Sequence, residues 1–296
     1  MSTKPMIQIM SDLHLEFGTQ YQDFDVTPSA PILALVGDIG RAVDDAFFVW
    51  LRKMLRKFEA VLLVMGNHEF YGSSYVKSSS SADADKTTPQ LGEFVFLDRR
   101  SWSPPQNPNL VILGCTLWSE LDPANVPSIS QQLNDFYQIN GMTTGLFDYL
   151  HERDCQWLEA QLNTLTAPPP PSSSQGDTSG AAAKKTVVVM SHHAPYDHGT
   201  ANPVYEVPEN LTRSGFSSDL SKPAAGVNLR GASRTRGPLV RSPVHTWVYG
   251  HTHWSSDTTV EGVRIVSNQR GYIQADGGIA GGNPARPFNN AFVLEF

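Results

Sequence analysis

Residues 61–70 read VLLVMGNHEF, in which an apolar run ends at Gly66 and is followed at once by Asn67, His68 and Glu69. A short apolar run of this kind predicts a buried strand, and the glycine predicts the turn that closes it. The polar side chains would then lie at the carboxyl end of a strand, which is where open α/β folds bind their ligands.

The same arrangement recurs four more times along the chain. The further runs, each with the polar residues that follow it, are MIQIM at 6–10 with Asp12 and His14, ILALV at 32–36 with Asp38, VVVM at 187–190 with His192 and His193, and TWVY at 246–249 with His251 and His253. Because ligands gather outside the carboxyl ends of the strands in such sheets, we expect these side chains to meet at one site.

The converging residues have the chemistry of metal ligands. They comprise two aspartates, one asparagine and four histidines: Asp12, His14, Asp38, Asn67, His192, His251 and His253. Carboxylate, amide and imidazole ligands together suit Mn, Fe or Zn, and the ligand types alone do not choose among these metals. Two such cations activate water and hold a phosphate ester for attack.

The order of the blocks, D-x-H, G-D, G-N-H-E, H and G-H-x-H, resembles the calcineurin-like metallophosphoesterase superfamily from Asp12 to about Tyr272. The resemblance implies an α/β fold, namely a four-layer α/β/β/α sandwich with a dimetal site at the sheet edge. It implies a hydroxide that bridges two divalent metal ions as the nucleophile, with His68 assisting the leaving group. The implied ligands are Asp12, His14, Asp38 and His253 for the first metal, and Asp38, Asn67, His192 and His251 for the second, with Asp38 bridging.

Two neighbours of these residues, His193 and Glu69, are each compatible with two roles. His192 aligns better than His193 as the ligand of the fourth block, so His193 is expected either to face the substrate or to pack near the ligands. Glu69 is a candidate to orient His68 or His14, because ligating imidazoles usually donate their second N–H to a carboxylate. It is equally compatible with an ordinary charge at a strand end.

The motifs narrow the reaction class. Residues 37–41 read GDIGR, which departs from the G-D-x-V-D-R-G of Ser/Thr protein phosphatases in this superfamily. Protein phosphatase activity is therefore not expected, and a small phosphodiester remains the best substrate class. The resemblance to one branch of the superfamily implies, within this class, a nucleotide such as a 2′,3′- or 3′,5′-cyclic monophosphate. The alternatives are a small-molecule phosphomonoesterase and a non-catalytic scaffold, and the complete ligand set argues against the scaffold.

The segment 195–243 lies between two ligand blocks, and we expect it to form a cap over the site. The candidate substrate-binding residues, in this segment and near it, are His193, Tyr196, Arg230, Arg234, Arg236 and Arg270. Arginine suits phosphate because it can donate two parallel hydrogen bonds, and Tyr196 could stack on a base. Alternatively, the arginines only make a long loop soluble, Arg270 forms a structural ion pair, and Tyr196 closes the core.

The 296 residues are interpreted as a single domain, since blocks spread from end to end must meet at one site. Mobile insertions are expected at about 73–90 and 167–185, which are rich in Ser, Ala, Asp and Pro. A net charge of −7 argues against a dedicated nucleic-acid surface. No apolar signal segment or membrane-length run is present, so a cytoplasmic location without membrane association is expected.

Amphipathic patterns predict helices at 44–58 and 146–165. In the second helix, Leu150, Trp157, Leu158 and Leu162 are expected to face the core. Its carboxylates Glu152, Asp154 and Glu159 are expected to face solvent.

Overall fold

The structure is a computed structural model that describes residues 4–76, 91–167, 185–224, 227–231, 233–274, 278–280 and 282–296. The insertions expected at about 73–90 and 167–185 lie for the most part outside the described residues. That residues 1–296 form a single domain stays a prediction.

Among the described residues, five strands form the first sheet: β1 (Met6–Met10), β2 (Ile32–Val36), β3 (Ala60–Val64), β4 (Glu93–Phe96) and β13 (Val293–Glu295). Their order is β13–β1–β2–β3–β4. Neighbours from β1 to β4 pair in parallel, and β13 is antiparallel to β1. The ligand blocks at Asp12, Asp38 and Asn67 thus follow three adjacent parallel strands.

The second sheet contains six described strands: β5 (Arg100–Trp102), β6 (Leu110–Cys115), β7 (Thr186–Ser191), β8 (Val244–Tyr249), β9 (Asp257–Val260) and β10 (Val263–Ser267). Their order is β5–β6–β7–β8–β10–β9, with antiparallel strands at the two edges and parallel pairing between β6, β7, β8 and β10. The ligand blocks at His192 and His251 follow the adjacent strands β7 and β8.

The remaining described elements are short, apart from two helices. They are α1 (Gln20–Asp23), α2 (Asp45–Leu55), α3 (Val126–Gln132), α4 (Asp135–Gln138), α5 (Thr144–Thr166), two 3₁₀ turns (His68–Phe70 and Arg213–Gly215), and a two-stranded ribbon of β11 (Tyr272–Ile273) and β12 (Ile279–Ala280). Within the part of the chain that the structure describes, no helix has both the length and the apolar character needed to cross a membrane.

The alternation of side chains along each strand explains how the layers stack. In β2, Leu33 and Leu35 pack with helix α2, whereas Ala34 and Val36 join the core between the two sheets. In β7, Val187 and Val189 pack with helix α5, and Val188 and Met190 face the other sheet. Both sheets are therefore covered on both faces, which explains their continuous apolar runs. The expected four-layer α/β/β/α sandwich is confirmed.

The helix predicted at 146–165, observed as α5, differs from its prediction in the burial of one carboxylate. Thr143 caps α5, because its side-chain oxygen accepts a hydrogen bond from the Leu146 N–H. The expectation that the carboxylates of α5 face solvent was wrong for Asp154, which is 1% exposed. Its oxygens accept hydrogen bonds from the Arg99 guanidinium and the Leu117 N–H. A long-range cation and a backbone donor thus offset the cost of burying the carboxylate.

Candidate metal centre

The loops that follow β1, β2 and β8 have an unusual backbone conformation. Nine non-glycine residues of the described chain have positive φ, and five of them are predicted ligands: Asp12, His14, Asp38, His251 and His253. Such a conformation costs about 1–3 kcal/mol per residue and persists only where the surroundings enforce it. Here Asp12 N donates to Gly37 O at 3.0 Å, and His14 N donates to Asp38 O at 2.9 Å. The loops therefore hold one another in place.

The first group of candidate ligands is Asp12, His14, Asp38 and His253, whose ligand atoms all lie within 4.8 Å of one another. The Nε2 atoms of His14 and His253 are 2.9 Å apart. His253 Nε2 lies 3.5 Å from Asp12 Oδ1, and His14 Nε2 lies 3.9 Å from Asp38 Oδ2.

The second group is Asp38, His192 and His251, which meet the same 4.8 Å limit. His192 Nε2 lies 3.3 Å from Asp38 Oδ1 and 3.2 Å from Asn67 Oδ1. The other ring nitrogen of His192, Nδ1, is 3.0 Å from the Val36 carbonyl, which suits donation of its N–H. This fixes the ring so that Nε2 faces Asp38. Asp38 belongs to both groups, one oxygen being directed to each.

These residues fit divalent cations. His251 Nε2 is buried and has no hydrogen-bond partner among the described residues, whereas buried polar atoms normally have one. The Nε2 atoms of His14 and His253, 2.9 Å apart, are close enough for both to bind one cation. Burial lowers the pKa of His253 to about 3 and that of His251 well below its usual value. Both imidazoles are therefore neutral, which is the form that binds metal.

Glu69 holds the loop that presents Asp38. Its carboxylate accepts hydrogen bonds from the backbone N–H groups of Asp38, Ile39, Gly40 and Gly66 at 2.6–3.3 Å. The expectation that Glu69 orients His68 or His14 was therefore wrong. It positions Asp38 through the backbone. Burial, together with the nearby charge of Asp38, raises the pKa of Glu69 to about 7.

Asp135 holds the amide of Asn67. Its Oδ1 accepts hydrogen bonds of 2.7 Å from Asn67 Nδ2 and from the Tyr71 hydroxyl. Because the amide nitrogen donates to Asp135, the amide oxygen is left facing His192 and the second group. Asp135 is 2% exposed, so these donors replace solvent.

His68 lies beside the two groups and is held from both sides. Its Nδ1 is 2.8 Å from Glu16 Oε1, its Nε2 is 3.0 Å from the Tyr272 hydroxyl, and its ring stacks on Tyr71 at 4.2 Å. Burial alone would lower the pKa of His68, but the charge of Asp38, the hydrogen bond that His68 donates to Glu16 and the charge of Glu16 together outweigh it and raise the pKa to about 9. Glu16 keeps favouring the protonated imidazole when cations neutralise Asp38.

The candidate centre opens into a cleft of about 550 Å³. Asp38, Asn67, His68 and His251 lie at its base. One side is formed by residues 132–135. The cleft is also lined by part of the segment 195–243 that we expected to form a cap, and we call residues 197–217 the wall segment.

The wall segment is attached directly to the second group. The Phe216 ring stacks on His251, with centroids 4.9 Å apart and an interplanar angle of 26°. The Thr252 hydroxyl donates to the Thr200 carbonyl at 2.6 Å. His251 is stacked on its other side by His193 at 4.0 Å.

The other predicted substrate contacts lie elsewhere. His193 is fully buried, with Nδ1 2.7 Å from the Ser119 hydroxyl. Tyr196 packs against the core that lies beside α5. The Arg270 guanidinium donates to the Leu13 carbonyl and to the Gln20 side chain, and lies 4.4 Å from the Phe24 ring. These three residues support the structure around the centre and are not among the residues that line the cleft.

Arg230, Arg234 and Arg236 are also placed away from the cleft. Arg234 is 5% exposed and pairs with Glu120, Asp148 and Glu152. Arg236 is 9% exposed and donates to the Gly237 carbonyl, and Arg230 lies over the Tyr149 ring at 5.0 Å. The proposed grip on phosphate by these arginines is therefore withdrawn, because their charges are directed to α5 and to the loop itself.

Several residues of the site were missed by the sequence reasoning. Glu16 was assigned no role, the hydroxyls of Tyr71 and Tyr272 were assigned no partner at the site, and Arg213 was considered only as one of several arginines of the segment 195–243 that could bind phosphate. Glu16 lies two positions after His14, on the turn that carries two ligands. This placement is the feature of the sequence that could have identified Glu16 as a residue of the site. The Tyr272 hydroxyl lies 3.0 Å from His68 Nε2.

Comparisons with known proteins agree with this arrangement. Residues 6–255 match the family model described as calcineurin-like phosphoesterase. "Uncharacterized protein L509" of Acanthamoeba polyphaga mimivirus is 25% identical over 288 residues, covering 90% of this chain and 91% of that protein.

Two solved structures are similar. The phosphopantetheinyl hydrolase of Mycobacterium tuberculosis aligns with a TM-score of 0.59 and 18% identity, covering 92% of this chain and 91% of that chain, which supports the fold. A dimetal phosphatase from Danio rerio is 16% identical over 90% of this chain and 87% of that chain, with a TM-score of 0.46. With the family model spanning most of the sequence, the chain belongs to the calcineurin-like phosphoesterase family.

Proposed function

We propose that the protein is a metal-dependent phosphodiesterase for a small molecule, with nucleotides such as 2′,3′- or 3′,5′-cyclic monophosphates as the leading substrate class. The observation that carries this proposal is that Asp38 belongs to two ligand groups. Within each group, the ligand atoms all lie within 4.8 Å of one another. Two divalent cations, when bound, activate water and neutralise charge on the phosphate.

The residues of the chain have separate tasks in this proposal. Asp12, His14 and His253 hold one cation, Asn67, His192 and His251 hold the other, and Asp38 is shared. His68 is positioned by Glu16 to donate a proton or a hydrogen bond from Nε2 to the leaving oxygen. In the structure the Tyr272 hydroxyl occupies that direction at 3.0 Å. The leaving oxygen would replace this hydroxyl as the partner of Nε2.

The charges of the cleft favour a diester over a monoester. Apart from its histidines, Arg213 is the cationic side chain among the described residues that line the cleft, and it is accompanied by Asp135, Asp197 and Glu206. A monoester carries up to two negative charges, so it calls for more cationic donors than a diester does. At the reacting phosphate, the single charge of a diester therefore suits this lining better than the two charges of a monoester.

The dimensions of the cleft favour a substrate with a sizeable group attached to the phosphate. A volume of about 550 Å³ is in the range of sites for drug-sized ligands. The Tyr205 side chain lines the cleft and is 60% exposed, so its ring is accessible for stacking. A nucleoside would use both features.

The experiment is a direct comparison of bis(p-nitrophenyl) phosphate with p-nitrophenyl phosphate, with added Mn²⁺, Zn²⁺ or Fe²⁺ and with chelator. Faster, metal-dependent cleavage of the diester is expected, followed by activity within a panel of cyclic nucleotides and a phosphopantetheinyl ester. Faster cleavage of the monoester would instead make the protein a phosphatase. Asp38→Asn should abolish activity, whereas Glu209→Gln, at an exposed position, should not change it.

A further inference from the structure

The wall segment contains polar side chains of two kinds, those that fold the segment and those that remain available. The Glu206 carboxylate accepts hydrogen bonds from the backbone N–H groups of Gly199, Thr200 and Ala201 at 2.8–2.9 Å. The Asn210 side chain accepts from Thr212 and donates to the Tyr205 carbonyl. These groups are occupied in shaping the loop, so they are poorly placed to recognise a ligand.

Arg213, in contrast, uses few of its hydrogen-bond donors within the protein. One guanidinium nitrogen lies 3.5 Å from Asp197 Oδ2, and the side chain is 33% exposed. For comparison, Arg264 binds Asp257 through two hydrogen bonds of 2.9 Å. A single long contact leaves most of the five N–H donors of a guanidinium free. Arg213 is also the single arginine or lysine among the described residues lining the cleft.

Among the described residues, Arg213 is not part of the hydrogen-bond network of the candidate ligands. The described polar contacts connect Arg213 to Asp197 and to neither His68 nor the candidate ligands. It begins the 3₁₀ turn Arg213–Gly215, which leads to Phe216 on His251. The guanidinium therefore lines the cleft from the wall segment, three residues before the ring that stacks on His251.

We propose that Arg213 binds a second anionic group of the substrate, a phosphate or a carboxylate beyond the reacting phosphate, and that Asp197 holds the guanidinium in place until this group arrives. The guanidinium fork matches both anions because it presents two parallel donors. This inference rests on the proposed phosphodiesterase activity. It narrows the substrate to phosphodiesters that carry a further negative charge, such as a nucleotide with a second phosphate. A simple cyclic monophosphate, which has one phosphate, would be cleaved without this contact.

The test uses two substrates that differ only in the second anion: thymidine 5′-(p-nitrophenyl phosphate) and its 3′-phosphorylated form. Both release p-nitrophenol from the same bond. The wild-type protein, loaded with the metal that gives most activity, should show a kcat/KM roughly 10- to 100-fold higher for the 3′-phosphorylated form, which is the range for hydrogen bonds to a charged group. A 3′-carboxymethyl analogue shows whether a carboxylate is bound as well as a phosphate.

Three variants separate binding from structural support. Arg213→Gln should remove the preference by raising KM for the 3′-phosphorylated ester, with little change for the other ester. Asp197→Asn should retain or increase the preference, because it removes a competitor for the guanidinium. Arg56→Gln, at an exposed position at the end of α2, is the matched control and should behave as wild type. Thermal melting confirms that each variant is folded.

The outcomes distinguish the two proposals. Equal kcat/KM for both esters in the wild-type protein would overturn this inference and leave the phosphodiesterase activity intact. An equal loss on both esters in Arg213→Gln would mean that Arg213 binds the reacting phosphate or only supports the loop, and would overturn it too. If neither ester nor bis(p-nitrophenyl) phosphate is cleaved with any metal, the proposed function fails and this inference fails with it.

Discussion

Asp135 accepts a hydrogen bond of 2.7 Å from the side-chain amide of Asn67, a residue 68 positions earlier in the chain. This bond decides which end of the amide faces the second ligand group. Asp135→Ala should therefore lower metal affinity or turnover by roughly 10- to 100-fold, the usual effect of removing a partner of a metal ligand. Metal content and kcat are measured together. Asp135→Asn, which keeps an acceptor oxygen, should recover part of the loss, and an unchanged Asp135→Ala protein would contradict this role.

Glu16→Gln should lower the pKa of His68 while leaving its imidazole in place. Because Glu16 raises the pKa of His68, which is about 9 in the intact protein, its loss lowers that pKa. If protonated His68 assists the leaving group, the alkaline limb of the pH–kcat profile moves to lower pH. An unshifted limb would show that His68 does not act as an acid.

His68→Ala should reduce turnover by roughly 10²- to 10⁴-fold while metal content stays near wild type. The loss should be larger for a nucleoside leaving group than for p-nitrophenol, since p-nitrophenolate leaves without protonation. Equal losses on both would indicate that His68 contacts the phosphate and does not act on the leaving oxygen.

Gly66→Ala should disrupt the centre because of steric contact. A Cβ at this position would lie 2.2 Å from Asp38 Oδ1 and 2.6 Å from His192 Nε2. We expect loss of metal and activity, measured by metal analysis and hydrolysis of the diester. Gly145→Ala is the matched control: no atom lies within 4 Å of the added Cβ, and the residue is in the first turn of α5. It should leave activity unchanged and stabilise the fold by about 0.4–1 kcal/mol.

Arg234→Ala should affect stability and leave KM unchanged. Its removal leaves the Asp148 carboxylate, which is fully buried, without its ion-pair partner. Breaking a buried pair in this way costs about 3–5 kcal/mol. Denaturant unfolding measures the loss. Arg230→Ala should cost less than about 1 kcal/mol, because that side chain is exposed and lies over one tyrosine ring.

Metal removal should lower the melting temperature, because a cation that binds the folded state alone stabilises it by mass action. Added Mn²⁺ at 100 times its dissociation constant should contribute about 2.7 kcal/mol. Burial alone would lower the pKa of His192, but the charge of Asp38, the hydrogen bond to it, the charge of Asp12 and the Val36 carbonyl together outweigh burial and raise the pKa to about 10. Metal binding therefore displaces a proton, and the affinity should fall as pH falls. An affinity independent of pH would argue against His192 as a ligand.

The strands and their polar ends could be predicted because the evidence for them is local. The observed β1 and β2 have the predicted bounds, Met6–Met10 and Ile32–Val36. The other three predicted runs differ from the observed strands by one or two residues at their ends. A buried parallel strand needs an apolar run, and a ligand after it needs a turn, so both features appear within ten residues of sequence.

The partners of buried charges could not be predicted in the same way. Asp154 and Arg99 are 55 positions apart, and Arg234 and Asp148 are 86 apart. Helical periodicity places Asp154 on the same face of α5 as Leu150 and Leu158, which are four residues before and after it. Its burial was therefore indicated by the spacing, but only the fold brings a cation to it. The same holds for Glu16, whose contact with His68 spans 52 positions. Without those partners, a charged residue is most simply expected to face solvent.

The wall segment is joined to the metal centre by the Thr252–Thr200 hydrogen bond and by the Phe216–His251 ring contact. Between these anchors, the loop is shaped largely by its own residues. Its sequence can therefore be varied in enzyme engineering without changing the candidate metal ligands. A library confined to residues 201–213 that keeps Thr200 and Phe216 should retarget the enzyme to other leaving groups while the hydrolytic machinery is inherited unchanged.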